Sequence, residues 1–95
     1  MYFALVAHDR ANAVADRMRI RPEHLKYLDS LGERLILAGP FLNAQAEGIG
    51  SIVIIEADTL EDARAEFGRD PYAREGLFDQ VTIKPWRVLI NKLPR

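Results

Sequence analysis

The chain has no cysteine, which excludes disulfides, thiolate metal sites and a cysteine nucleophile. It also lacks an excess of charge of either sign. Thirteen basic and 14 acidic residues leave a formal net charge of −1, a balance that argues against a dominant nucleic-acid footprint, which would need a basic face. Arg17, Arg19 and Arg21 come closest to a basic run, but Asp16 and Glu23 flank them. No apolar run reaches the length that spans a bilayer. The opening Met1-Tyr2-Phe3-Ala4-Leu5-Val6 has no basic n-region and runs at once into strand-like sequence. These absences lead us to expect a cytoplasmic protein with neither a nucleic acid nor a membrane as partner. His8, His24 and Asp70 contain no short-spaced ligand pair, so no metal is expected. Gly48-Ile49-Gly50 is too short, and too plainly set between two strands, to cradle a phosphate. No serine or threonine stands in a nucleophile motif, and no cofactor is expected.

What is present suits one domain over residues 1–95: 48% hydrophobic and 28% charged residues in 95. Tyr2 to His8 reads as a strand, and Ala11 to Met18 as a short helical segment. Pro22 to Leu31 reads as a helix stopped by Gly32, with Pro22 at its first position, where a missing N–H costs nothing. A second strand, Leu35 to Ala38, closes at Gly39-Pro40. A hairpin loop follows over Asn43 to Gly50, then a third strand over Ser51 to Ala57 with four β-branched residues in a row. Thr59 has the form of an N-cap with Asp62 three residues on. The helix it starts places Leu60, Ala63 and Phe67 on one face and ends at Gly68. A single turn is expected near Ala73 to Gly76, then a long strand from Phe78 to Ile90, bent at Pro85.

This order, βαββαβ, predicts a ferredoxin-like α+β fold, one antiparallel sheet with its helices on one face. A sheet covered on one side only should alternate apolar and polar residues. Here Phe3 and Leu5 oppose Tyr2, Ala4 and Val6, and Ile52 and Ile54 oppose Val53 and Ile55. Both faces are expected to be buried, and a second copy of the sheet, in a homodimer, is the simplest cover.

Chemistry concentrates at His24. In the helix beginning at Pro22 it sits in the first turn, and at about 100° per residue it falls within an arc of Leu25, Tyr27, Leu28 and Leu31. An inward imidazole calls for a partner. Asp70 is the candidate, because Pro71 pushes it to an extended conformation that fixes its side chain. The two helices share a sheet face, so the start of the first and the end of the second can meet. An aspartate would set the tautomer and favour the charged ring, while the positive helix end would favour the neutral one; opposed effects of this kind suit an acid–base catalyst. The plainer reading also stands: His24 only packs and bonds a backbone carbonyl, and Asp70 only caps the Asp-Pro bend. Tyr72 reads as a pocket wall, a hydroxyl donor or a structural aromatic, and Gly39 and Pro40 as a sharp turn that can line a pocket. His8 and Asp9 point to opposite faces and form no dyad. Trp86 is expected at the sheet or dimer interface.

Taken together, the strand ending at His8-Asp9, Arg21-Pro22-Glu23-His24-Leu25, Leu37-Ala38-Gly39-Pro40, the strand from Ile52 to Glu56, Asp70-Pro71-Tyr72 and Val81-Thr82-Ile83-Lys84-Pro85-Trp86 resemble the YCII-related (YciI-like) family of small bacterial proteins. The resemblance covers nearly the whole chain in order. It implies a dimeric α/β barrel with a pocket holding a histidine–aspartate pair, whose places fall on His24 and Asp70. It further implies proton-transfer chemistry on a small cyclic or enolisable molecule, since a related member removes HCl from a hydroxyquinol and neighbouring barrels include lactone isomerases and monooxygenases. His8 departs from the polar, glutamine-like residue expected there, and the hairpin loop looks short; both are expected to reshape the pocket. Three functions compete: a cofactor-free enzyme using His24 and Asp70 for elimination, isomerisation or lactone chemistry; a binding or sensor module for an acidic metabolite; and an interaction protein whose pair is structural.

Overall fold

The computed structural model describes residues 1–94. Its elements are β1 (Tyr2–Asp9), α1 (Val14–Ser30), a 3₁₀ turn (Gly32–Arg34), β2 (Leu35–Leu42), β3 (Gly48–Glu56), α2 (Leu60–Phe67), α3 (Pro71–Arg74) and β4 (Phe78–Trp86). The four strands form one sheet in the order β2-β3-β1-β4, each neighbouring pair antiparallel. With its helices this is the ferredoxin-like α+β arrangement expected from the sequence.

The register explains which side chains meet the helices. Phe3, Leu5 and Ala7 stand opposite Ile55, Val53 and Ser51, and all six are buried. Leu31, Ala63 and Phe67 from the helices complete that core. A second small cluster of Ala13, Ile20, Tyr72 and Leu77 lies between α1 and α3. The other sheet face carries Tyr2, Ala4, Val6, Leu37, Ile52, Ile54 and Trp86, with the polar Glu56, Gln80, Thr82 and Lys84 along its edge and ends. Leu37, Ile52 and Trp86 remain 42%, 38% and 41% exposed, so a single chain leaves this apolar face uncovered.

Several boundaries differ from the sequence reading, each for a local reason. The helix does not start at Pro22. One 17-residue helix runs through it, from Val14 to Ser30, merging the short segment and the main helix expected separately. Pro22 lies on the exposed side, where water can serve the carbonyl that proline leaves unpaired. His24 therefore sits in mid-helix, and the positive helix end does not act on it. The N1 logic holds instead for Pro71, which opens α3 behind an extended Asp70 at φ −60° and ψ 128°. The single turn lies at Pro71–Arg74 rather than Ala73–Gly76, and Gly76 follows at φ 69°. Gly32, at φ 58°, stops α1 as expected.

β2 does not close at Gly39-Pro40. Both residues stay in the ladder, opposite Ile52 and Ser51, because β2 is an edge strand where a missing donor is tolerated. The hairpin loop shrinks to residues 43–47, held by Asn43 Oδ1, which accepts from the backbone N–H groups of Gln45 and Glu47 at 2.9 and 3.0 Å. β4 ends at Trp86, not Ile90, because Trp86 pairs with Tyr2, the first residue of β1, and no strand remains beyond it. Thr59 caps α2 by accepting from the Asp62 N–H at 3.0 Å, as the sequence predicts.

Candidate active site

The inward face of α1 carries Arg17, Ile20 and His24, and the stripe continues into its capping residues Ala13 and Leu31, all buried. Its spacing of three and four residues is that of one helix face. Two of its members, Arg17 and His24, carry polar heads. Burying such groups is costly unless they are partnered, and both are.

Arg17 Nη1 donates to both Asp9 carboxylate oxygens, at 2.9 and 2.8 Å, and Nη2 donates to Ser51 Oγ at 2.6 Å. The two charged side chains are 6% and 4% exposed, so this ion pair is sealed. Gly48 makes room for it: a Cβ there would come within 2.8 Å of Arg17 Nε.

His24 Nδ1 lies 2.8 and 3.0 Å from the two Asp70 oxygens. An ionised carboxylate only accepts, so Nδ1 donates to Asp70, and in the neutral imidazole Nε2 is then the ring nitrogen without a hydrogen. Asp70 Oδ1 also accepts from the Tyr72 N–H at 3.0 Å and thereby caps α3. The catalytic and capping readings of Asp70 are thus compatible in one geometry. Tyr72, 1% exposed, stacks on the His24 ring at 3.9 Å between centroids and 17° between planes. The Arg17 guanidinium carbon lies over the same tyrosine ring, 4.5 Å from its centroid. Arg17 and His24 are two helical turns apart, about 10.5 Å of rise, and the Tyr72 ring is layered between them. Burial raises the Tyr72 phenol above its ordinary pKa, which the charge of Arg17 partly opposes.

A cavity of about 590 Å³ opens between α1 and the β2–β3 hairpin. His24, Tyr72, Arg17 and Arg21 contribute its polar wall; Met18, Leu25, Leu28 and Val53 contribute its apolar wall; Gly39, Pro40 and Gly48 line its strand side. The expected site residues His24, Tyr72, Gly39 and Pro40 thus meet at one cavity, with Asp70 behind the histidine. Neither His24 Nε2 nor the Tyr72 hydroxyl hydrogen-bonds to a described residue, and neither is a sealed, unsatisfied atom. Among the described residues no group of three or more His, Cys, Asp or Glu is arranged to hold a metal ion.

His8 takes no part. It stacks on Phe41 at 5.3 Å on the opposite sheet face, over Gly50, where a Cβ would come within 2.9 Å of the Phe41 ring. The expectation that His8 reshapes the pocket is therefore corrected, because strand alternation sends it to the open face while Asp9 turns inward to Arg17. Arg17, Asp9, Ser51 and Arg21 escaped the sequence reading as site residues. Carrying the His24 stripe back seven residues through Pro22 would have found Arg17, a charged residue on a buried face.

Comparison with known proteins places this arrangement in context. The family model described as the YCII-related domain matches residues 1–87. Protein YciI of Escherichia coli is 35% identical over 95 aligned residues, covering 92% of this chain and 97% of its own. An uncharacterized protein of Haemophilus influenzae is 32% identical over the same shares. Among solved structures, 5-chloro-2-hydroxyhydroquinone dehydrochlorinase (TftG) of Burkholderia phenoliruptrix, in complex with 2,5-dihydroxybenzoquinone, superposes with a TM-score of 0.86 at 27% identity, covering 92% of this chain and 94% of that one. A Bacteroides structure described as an antibiotic biosynthesis monooxygenase, at TM-score 0.61 and 15% identity, shares the fold. With the match running from the first strand to the end of the last, the chain belongs to the YCII-related family.

Proposed function

We propose that the protein is an enzyme that moves a proton on a small cyclic or enolisable molecule bound in the α1–hairpin cavity, with His24 as the catalytic base and Asp70 as the residue that orients it. The observation that carries this reading is the His24–Asp70 geometry: Nδ1 is held 2.8 Å from a buried carboxylate, which leaves Nε2 to the cavity. In this scheme the Nε2 lone pair takes a proton from the substrate, and Asp70 stabilises the imidazolium that forms. The electron pair released on the substrate either returns with the proton at another carbon, an isomerisation, or expels a leaving group such as chloride, an elimination. The likeness to a dehydrochlorinase supports the second outcome. Tyr72 aligns the imidazole by stacking and offers its hydroxyl to the substrate, and Gly39 and Pro40 border the bound molecule.

The exposed apolar sheet face supports a homodimer, in which a second copy covers Leu37, Ile52 and Trp86. Among the described residues no helix is long and apolar enough to cross a membrane. A thermal-shift search over hydroxyquinols, phenolic acids, lactones and keto acids, followed by turnover assays on the stabilising compounds, tests the proposal. We expect turnover that His24→Gln lowers about 10²- to 10⁴-fold. Stabilisation without turnover would mean a binding module instead.

A further inference from the structure

Arg21 precedes His24 by three residues on α1 and so shares its side of the helix one turn away. It also lines the cavity. The other arginines nearby on the chain are neutralised: Arg10 and Arg19 by Asp16, with Arg19 also on Glu75, and Arg17 by Asp9. Arg21 makes no ion pair among the described residues. Glu47, the carboxylate in the lining, accepts from Asn43 Nδ2 at 3.1 Å and is not in ion-pair contact with Arg21. The cavity wall therefore holds one uncompensated guanidinium beside a bare imidazole nitrogen and a phenol hydroxyl without a protein partner. Burial is the main influence on the Tyr72 phenol, followed by the charges of Arg17, Asp70 and Arg21, of which the two arginines favour the ionised form. The guanidinium and the phenol hydroxyl suit an oxygen that carries negative charge and can donate to it, while the His24 lone pair faces the C–H that gives up its proton.

We infer that the cavity selects small molecules bearing an anionic oxygen, such as a phenolate or an enolate, and that Arg21 determines this selectivity as the counter-ion, with the Tyr72 hydroxyl as a second donor. This rests on the proposed function in taking the same cavity as the substrate site. It adds the charge state of the ligand and the residue that reads it. An enolate ground state or intermediate would be held against Arg21 while His24 exchanges the proton.

The test compares two ligands of nearly equal shape, 2,5-dihydroxybenzoquinone, an anion at neutral pH, and its neutral dimethyl ether. Affinities are measured by calorimetry for the wild-type protein and for Arg21→Gln, Arg21→Lys and His24→Gln. Arg21 is exposed, so both of its variants should fold with unchanged melting temperature. The expected result is that Arg21→Gln weakens the anion by about tenfold or more, leaves the ether unchanged, and is partly rescued by Arg21→Lys. Equal loss for both ligands, no loss for the anion, or no binding of either ligand to the wild-type protein would overturn the inference. The His24→Gln arm separates the two claims. A variant that keeps Arg21-dependent anion binding but still catalyses proton exchange would sink the role of His24 and leave the selectivity standing.

Discussion

Asp70 makes two hydrogen-bonded contacts that mutagenesis can separate. It holds His24 Nδ1 and caps α3 through the Tyr72 N–H. Asparagine is as good an N-cap as aspartate, so Asp70→Asn should melt close to the wild type yet lose most turnover, because an amide does not stabilise the imidazolium. Asp70→Ala removes both contacts and should lower stability by about 1 kcal/mol or more as well. Melting curves beside turnover assays distinguish these outcomes; an Asp70→Asn protein with full activity would make the pair structural. Arg17 presents the opposite case. Replacing it by methionine leaves Asp9 buried without a counter-charge, which should cost about 3–5 kcal/mol, and the double variant Asp9→Asn/Arg17→Met should recover part of it in denaturant titrations. The difference between the two residues was only half legible in the sequence. His24 and Asp70 could be paired because Pro71 announces an extended residue before a turn. Arg17 and Asp9 could not, because taking Pro22 as a helix start hid the continuity of the stripe that carries Arg17.

At the scale of elements, local chemistry decided most boundaries and tertiary pairing decided the rest. The Thr59 cap, the Gly32 and Gly68 stops and the β-branched run of β3 are written in adjacent residues, and the structure keeps them. The ends of β2 and β4 are not, since they depend on what lies opposite: Ser51 and Ile52 extend β2 through Pro40, and the first residue of β1, Tyr2, sets the end of β4 at Trp86. Removing the α2 cap with Thr59→Ala should cost about 1 kcal/mol, which in a domain of this size lowers the melting temperature by roughly 4–8 °C. The contact between α1 and α2 has a pH signature. The Tyr27 hydroxyl donates to the Glu66 carbonyl at 2.7 Å, and burial, followed by the nearby Glu66 charge, raises its pKa above the ordinary tyrosine value. Folding therefore favours the neutral phenol. That contribution is complete below about pH 10 and declines above it, as tyrosines of the unfolded chain ionise while the native one keeps its proton. Stability measured by urea titration should fall with rising pH beyond that point, and Tyr27→Phe should make the fall shallower.

The whole molecule is a sheet with one covered and one open face, and the open face is apolar along β1 and β3, as the missing alternation of those two strands predicted. Burying it in a homodimer leads to a direct test: light scattering should give twice the 10.8 kDa chain mass, and Ile52→Lys at the centre of that face should give a monomer. A wild-type monomer at micromolar concentration would contradict the dimer. The cavity is equally a product of the whole chain, since α1 supplies His24 and Arg21, α3 supplies Tyr72, the loop before it Asp70, and the hairpin strands the remaining wall. The central claim is that this assembly moves a proton through His24. Its most direct measurement is solvent-deuterium incorporation at the ring C–H positions of 2,5-dihydroxybenzoquinone, followed by NMR with wild-type and folded His24→Gln protein. The account predicts exchange accelerated by the wild type and slowed about 10²- to 10⁴-fold by the substitution; equal exchange rates for the two proteins would contradict it.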